Sequence, residues 1–306
     1  MKRAERRPGN LEDWINMKKF LTLLLALSMA LSLAACGGDD ATADTTEDTA
    51  TEDTGDTADT GDTAESTESD LAYVQDKGTL VVGITEFEPM DYQDADGNWI
   101  GFDADMAKAF AESLGVEVQF QVIDWDNKVM ELDGKTIDVV WNGMTLTDEV
   151  TSAMECSNAY CNNAQVVILP ADVADQYPDA ASMADLNFAV ESGSFGQDQA
   201  DANGFTYTEV VDQATALMEV ASGTADAAII DSLMAGAMVG EGTSYADLTY
   251  TITLNPNEGE QYGVGFRKGS DLAAELNQFF IDSYADGTMT SLAETYGVQA
   301  ALIPQE

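Results

Sequence analysis

The residue types that most often perform acid–base or nucleophilic chemistry are scarce in this 306-residue chain. It contains no histidine, so the commonest general base and every Ser-His or Cys-His nucleophile are excluded. Besides Cys36 there are only Cys156 and Cys161, which could form a disulfide or remain two thiols and are too few for most zinc sites. Acidic pairs are abundant, but a net charge of −44 makes them expected by chance. We therefore predict a protein that is not an enzyme and holds no metal or other cofactor.

Residues suited to binding occur at the junctions of predicted strands and helices. Asp231 ends the apolar run 227–230, and its carboxylate could bind a ligand or cap the helix that begins there. Ser194 opens another predicted helix, whose free N-terminal amides attract an anion. The segment WNGMT, at 141–145, follows a buried strand and is also a plausible strand-to-helix turn.

These segments must be positioned by short strands that alternate with helices, a pattern that predicts an α/β fold with a mostly parallel sheet. Apolar residues of 102–114 recur on one helical face, and Gly115 follows as a stop signal. Residues 116–122 alternate between apolar and polar, which predicts a half-buried strand. Further strands are predicted at 79–83, 137–141, 165–169, 187–190 and 226–230, and further helices at 212–221, 272–284 and 289–296.

The first 36 residues predict export. Met17-Lys18-Lys19 starts a positive region, and the apolar run 20–33 that follows is shorter than the roughly 20 residues of a membrane-spanning helix. Leu33-Ala34-Ala35-Cys36 resembles a lipobox, the bacterial lipoprotein signal in which the cysteine is acylated and becomes the N-terminus. The alternative is an ordinary signal peptide that happens to contain a cysteine. We expect translation to start at Met17, with an extended n-region as the alternative.

Residues 37–70 predict a disordered acidic tether. The segment holds 13 acidic and no basic residues, and it lacks Val, Ile, Leu, Met and aromatic residues, so it cannot bury apolar area to offset chain entropy. Residues 71–306 then hold 40 acidic and 6 basic residues. This charge makes nucleic acid an unsuitable partner.

Six segments of 71–306 resemble, in order, the polar amino-acid solute-binding proteins often called family 3. The first is GTLVVGITEFEPMDYQDADGNWIGFDADMAKAFAESLGV; the others are KTIDVVWNGMTLTDE followed by SNAY, VESGSFG, GTADAAIID, YGVGFRKGSDL and DGTMTSLAETYG. The resemblance implies a two-lobed type II periplasmic-binding-protein fold of the α/β class, with two interlobe crossovers and the ligand in the cleft. It predicts lobe one over 71–163 and 258–306, and lobe two over 164–257.

The resemblance also implies a set of ligand-binding residues. In the family, the position of Asp231 binds the ligand ammonium, a carbonyl at Gly143 assists, and the Thr145 hydroxyl and amide bind the ligand's polar end. Asn142 adds a donor and an acceptor. The remaining predicted residues are the helix-opening Ser194 and Phe195, of which Phe195 departs from the small or hydroxyl residue often seen there, and the aromatic walls Phe87 and Trp125.

One position departs from the family pattern. The family reads T-x-T-x-E-R, with an arginine that grips the ligand carboxylate through a bidentate pair, whereas this chain has Val150 there. Backbone amides at Thr145 and Ser194 could carry the carboxylate alone, Lys128 or Lys135 could substitute, or the ligand could be cationic. Acidic residues expected near the cleft, Glu86, Glu191 and Asp231, favour a neutral or cationic amino acid, with a polyamine-like cation as the alternative.

The function implied is that of an extracytoplasmic receptor that delivers an amino acid to the permease of an ABC importer. We expect a monomer that is anchored to the cell membrane through a lipid on Cys36. Two alternatives remain at this point: a sensor that presents its liganded form to a membrane receptor, and an enzyme on the same fold, against which the absence of histidine argues.

Overall fold

In the computed structural model, residues 69–255 and 259–306 are described. The predicted signal peptide with Met17 and Cys36, and the tether up to residue 68, lie outside them. Within the described ranges no helix is long and apolar enough to cross a membrane. The helices are α1 (Asp70–Lys77), α2 (Phe102–Leu114), α3 (Lys128–Asp133), α4 (Asp148–Ala153), α5 (Phe195–Asn203), α6 (Gln213–Ser222), α7 (Ser232–Met238), α8 (Leu272–Asp286) and α9 (Thr288–Thr295).

The first sheet has the strand order β4-β1-β5-β13-β6, and β7 also pairs with β13. Strands β1, β4 and β5 are parallel, and β13 runs antiparallel to its three neighbours. A separate hairpin joins the short strands β2 and β3. The strands are β1 (Thr79–Ile84), β2 (Tyr92–Gln93), β3 (Trp99–Ile100), β4 (Glu117–Val122), β5 (Val139–Thr145), β6 (Glu155–Cys156), β7 (Cys161–Asn163) and β13 (Glu260–Phe266).

The second sheet has the strand order β10-β9-β11-β8-β12, in which β8 runs antiparallel to both of its neighbours. The chain passes from the first sheet to the second between β7 and β8, and returns between β12 and β13. Two sheets with helices packed on them, joined by two crossovers, make the two-lobed α/β architecture. The strands are β8 (Gln165–Pro170), β9 (Asn187–Glu191), β10 (Thr206–Val210), β11 (Ala227–Asp231) and β12 (Leu248–Leu254).

The predicted strands and helices are present, but the sheets are not mostly parallel as expected. Antiparallel pairing connects β13 to β5, β6 and β7, and connects β8 to β11 and β12. Strand β5 continues through Thr145, so Asn142, Gly143 and Thr145 lie within a strand rather than in a turn after it. Among the elements that were not predicted are the antiparallel strands β12 and β13, although residues 248–254 alternate strictly between apolar side chains and threonine, as a half-buried strand does. Val122, predicted to be half-buried at the end of β4, has 63% of its side chain exposed.

The only arginine of 71–306 is used to hold the fold together. Arg267 is 9% exposed, and its guanidinium pairs with the carboxylates of Asp70 and Asp138. It also donates to the carbonyls of Leu132 and Ile137. Asp70 was predicted to end the tether; it is instead the buried first residue of α1. Such a buried guanidinium is stable only because it is paired on several sides.

Candidate functional site

All eight residues predicted to bind a ligand line one small cavity of about 20 Å³ between the two sheets. A volume of this size holds a water molecule or two. It adjoins a larger cavity of about 350 Å³, since Trp125, Thr145 and Phe195 line both. The small cavity is therefore the narrow inner end of a wider cleft. Its lining consists of Phe87, Trp125, Asn142, Gly143, Thr145, Gln165, Glu191, Ser194, Phe195, Gly196, Gln213 and Asp231.

Asp231 is held at the end of β11 by side-chain amides rather than used as a helix cap. It is the N-cap residue of α7, but its carboxylate makes no capping hydrogen bond. Instead, Asn163 and Gln165 donate to Oδ1 and Gln213 donates to Oδ2. Burial, and next the neighbouring Glu260, raise the pKa of Asp231 to about 7. The carboxylate is thus fixed in place, and no cationic side chain of the described residues forms an ion pair with it.

Asn142 connects the two parallel strands β1 and β5. Its Oδ1 accepts from the amide and the hydroxyl of Thr85, and its Nδ2 donates to the Thr85 carbonyl and to Asp91. Both side-chain groups are therefore engaged inside the lobe. Only its backbone remains to face a ligand, which differs from the side-chain role that the sequence suggested.

Gly143 has a φ of 57°, and a Cβ built there would lie 2.5 Å from a ring carbon of Phe87. Only glycine allows both the left-handed conformation and this approach. Its amide donates to the buried carboxylate of Asp103 at 2.7 Å. The Thr145 hydroxyl donates to Glu260 at 2.8 Å, so this hydroxyl too has a partner within the protein.

Three aromatic residues line the small cavity: Phe195, and the two residues predicted to wall the cleft, Phe87 and Trp125. Phe87 is 2% exposed and packs edge-on against Tyr262, with ring centroids 6.3 Å apart. Trp125 is also buried, and the ammonium of Lys128 lies 5.0 Å from its ring centroid. An apolar wall of this kind suits the aliphatic part of a small ligand, and its π-face also favours a cation.

Lys128 spans the cleft. Its ammonium donates to the carbonyl of Trp125 at 3.2 Å and to the carbonyl of Gly193, on the other side of the cleft, at 3.0 Å. Burial lowers its pKa, and nearby acidic groups, of which Glu191 is the strongest, oppose that shift. Two of its three N–H donors are used, so one is left for another acceptor.

Helix α5 begins at the cleft, where Ser194 caps it by accepting from the Gln197 amide. The first-turn amides of Phe195 and Gly196 have no intrahelical acceptor. A Cβ at Gly196 would lie 3.2 Å from Oε1 of Gln165 and 3.3 Å from the carbonyl of Ile229. The helix start therefore packs closely against the edge of the second sheet.

Sequence reasoning missed part of the polar lining, namely Gln165 and Gln213, and gave Glu191 only a general place near the cleft. Glu191 ends β9 with 3% of its surface exposed, and burial raises its pKa to about 8. Its signal in the sequence is an acid at the end of the apolar run 188–190. The two glutamines gave no signal, because an amide suits a strand, a helix or a turn equally well.

Other residues considered from the sequence lie elsewhere. Glu86 does not line either cavity and accepts from the Gln93 amide. Lys135 packs over the Tyr73 ring at 4.5 Å. Val150, which replaces the expected arginine, lines the larger cavity together with Lys128 and the acids Asp126, Glu149, Asp198 and Asp201. Cys156 and Cys161 are free thiols outside the site.

Residues 80–299 match the family described as bacterial extracellular solute-binding proteins, family 3. The L-cystine-binding protein TcyJ of Escherichia coli is 27% identical over 75% of this chain and 86% of its own length. The arginine-binding extracellular protein ArtP of Bacillus subtilis is 25% identical over 92% of this chain and 98% of its own.

A solved structure shares the fold. The substrate-binding protein of an ABC uptake transporter from Streptococcus pneumoniae, solved with bound histidine, superposes with a TM-score of 0.69 at 28% identity. The match covers 76% of this chain and 98% of that one. A two-lobed fold, a cleft lined by a fixed carboxylate and aromatic walls, and a family match over most of the chain lead to one conclusion: this chain belongs to the bacterial extracellular solute-binding proteins, family 3.

Proposed function

We propose that this protein captures a neutral or cationic amino acid outside the cytoplasm and delivers it to an ABC importer. The observation that carries the proposal is the carboxylate of Asp231, which three amide side chains hold at the inner end of the cleft without a cationic partner. A buried carboxylate of this kind is stabilised when an ammonium reaches it. The relatives that bind cystine, arginine and histidine support an amino acid as the ligand.

The ligand carboxylate would be bound without arginine, because Arg267 is enclosed between Asp70 and Asp138. Lys128 is the basic residue among those lining the two cavities, and it retains one donor. We assign the carboxylate to Lys128 together with the first-turn amides of α5 and the Thr145 amide. Phe87 and Trp125 would cover the aliphatic part.

Closure of the lobes would trap the ligand, with the hinge at the two crossovers. Asn163, the last residue of β7 before the first crossover, donates to Asp231 of the second sheet and to Glu260 of the first. The side-chain amide of Asn163 thus contacts residues of both sheets. We place lobe one at 71–163 and 258–306 and lobe two at 164–257, with Asp70 joining lobe one through its pair with Arg267.

Membrane attachment through Cys36 is a separate part of the proposal. It rests on the order of charged, apolar and small residues before Cys36 and on the acidic segment after it. Expression of the full chain in a bacterium should give a membrane-bound, lipid-modified protein, and Cys36→Ser should abolish the lipid mass. An unmodified wild-type protein that is freely secreted would overturn the anchor and leave the binding role intact.

Calorimetric titration of residues 69–306 with the twenty amino acids tests the binding role. We expect the tightest binding from a neutral or cationic member. Preference for glutamate or aspartate over all others would overturn the assignment, since no arginine is among the described residues that line the two cavities and could hold a second carboxylate.

A polyamine-like cation is the second candidate, favoured by the four acids around the larger cavity. Arginine and its decarboxylated form, agmatine, separate the two ideas. Tighter binding of agmatine than of arginine would show that the cleft recognises amines and does not need a carboxylate on the ligand.

A further inference from the structure

The inner cavity contains two buried polar atoms that lack a partner among the described residues, and both are hydrogen-bond acceptors. They are Oε1 of Glu191 and Oε1 of Gln165. Gln165 is 2% exposed, and its Nε2 already donates to Asp231 and Glu260. A buried acceptor left unpaired costs free energy. The cavity therefore suits a ligand that brings additional N–H donors.

Glu191 and Asp231 are the last residues of the neighbouring parallel strands β9 and β11. Side chains at the carboxyl ends of adjacent parallel strands face the same crevice. The two carboxylates consequently repel each other, and the nearby Asp212 adds to this repulsion at Glu191. Thr85, from the first sheet, and Gln213 lie close enough to oppose part of this effect on the pKa of Glu191.

No ion pair within the described residues compensates Glu191. Lys128 attracts it, but the lysine ammonium donates to two backbone carbonyls. The fold itself does not require an acid here, because Phe188, Ala189 and Val190 of the same strand are buried and apolar. A buried acid that has no ion pair, and whose Oε1 has no hydrogen-bond partner among the described residues, is the expected signature of a group that binds a ligand.

We propose that Glu191 is a specificity-determining residue that binds a second cationic group of the ligand, separate from the ammonium bound by Asp231. This inference rests on the proposed function and narrows it to amino acids with a positively charged side chain. The second cation would supply donors to the unpaired oxygens of Glu191 and Gln165. It would also relieve the repulsion between the two carboxylates.

L-Arginine and L-citrulline test this inference, since they have nearly the same length and shape but differ in side-chain charge. Wild-type protein should bind arginine at least about 10-fold more tightly, as expected for a charge-assisted pair in a buried site. Glu191→Gln should lower arginine affinity by about 10-fold or more and change citrulline affinity by less than about 3-fold. Glu241→Gln, an exposed position in the same lobe, should change neither.

Proton release provides a readout that a structural role would not move. Arginine titrations at pH 7 in two buffers of different ionisation enthalpy should show protons released on binding to the wild type, because the cation favours ionised Glu191. The E191Q protein should release fewer. Glu191→Asp keeps the charge and should retain part of the preference for arginine. A retained preference in this variant would show that the loss in E191Q comes from the removed charge and not from poor folding.

The outcomes separate the two proposals. If no amino acid binds the wild type, the proposed function fails and this inference with it. If amino acids bind but the wild type does not distinguish arginine from citrulline, only this inference fails. It also fails if E191Q weakens both ligands equally or leaves proton release unchanged.

Discussion

Gln213 contacts Asp231 twice, through both ends of its side-chain amide. Its Nε2 donates to the Asp231 carboxylate, and its Oε1 accepts from the Asp231 backbone amide at 2.8 Å. Gln213, the first residue of α6, therefore holds the carboxylate in one orientation. Preorganisation of this kind raises affinity because less conformational freedom is lost on binding.

Gln213→Ala should weaken ligand binding by about 10-fold, because Asp231 loses a donor and its fixed orientation. The free energy of unfolding should fall by about 1–2 kcal/mol, since the buried Asp231 amide loses its acceptor. Calorimetry and urea unfolding measure the two effects. Gln278→Ala, at an exposed position where Gln278 donates to Asp282 within α8, should leave both unchanged; an equal loss there would contradict the assignment.

Asp231→Asn should reduce affinity for every amino acid by about 10- to 100-fold, the value of a hydrogen bond to a charged group. The substitution also turns an amide donor toward the amides of Asn163, Gln165 or Gln213. Titration with the tightest amino-acid ligand measures the loss, and Asp133→Asn, on the exposed end of α3, is the control. Wild-type affinity in D231N would remove Asp231 from the site.

Lys128→Met should weaken arginine binding by about 10-fold and leave agmatine, which lacks the carboxylate, nearly unaffected. The variant tests Lys128 as the replacement for the arginine missing at Val150. Lys135→Met, at a lysine outside the cleft, serves as the matched control. An equal loss of affinity for arginine and agmatine would show instead that Lys128 acts by holding the cleft closed through its hydrogen bond to the Gly193 carbonyl.

Gly143→Ala and Gly204→Ala form a matched pair, because both glycines have positive φ values, 57° and 69°. Alanine at 204 meets no atom within 4 Å, whereas alanine at 143 collides with Phe87. We expect G204A to cost about 1–2 kcal/mol of backbone strain and G143A to cost about 1–3 kcal/mol more through overpacking. Only G143A should also weaken binding. Equal unfolding free energies would show that Phe87 moves away freely.

The stability of the unliganded protein should fall as the pH rises from about 5 to 8. Burial raises the pKa of Glu191 to about 8 and that of Asp231 to about 7. The folded protein therefore retains protons that the unfolded chain has lost, and each retained proton costs about 1.4 kcal/mol per pH unit. Urea unfolding between pH 5 and 8.5 measures this slope. Glu191→Gln should reduce it, and an unchanged slope would mean that Glu191 is ionised throughout.

Much of the fold was predictable because its helices and buried strands have clear periodicity. The helix 102–114 and its stop at Gly115 match α2 and its C-cap. The eight predicted site residues meet at one cavity because strand ends and a helix start share one edge of each sheet. What the sequence could not predict were partners set by tertiary packing. Asn142 pairs with Thr85 and Asp231 with Asn163, residues more than fifty positions apart in the sequence. Gln213 reaches Asp231 from a separate element, α6.

The buried pair of Arg267 with Asp70 also determines where a shortened protein can begin. Arg267 lies in the segment after β13, whereas Asp70 is the first residue of α1. Ser69 and the Leu71 amide both bind Asp271, so three successive residues fasten the N-terminal end to the C-terminal part. Cleavage just after Asp70 would leave the buried Arg267 with Asp138 as its one carboxylate partner among the described residues, whereas cleavage before Ser69 would keep all of these contacts.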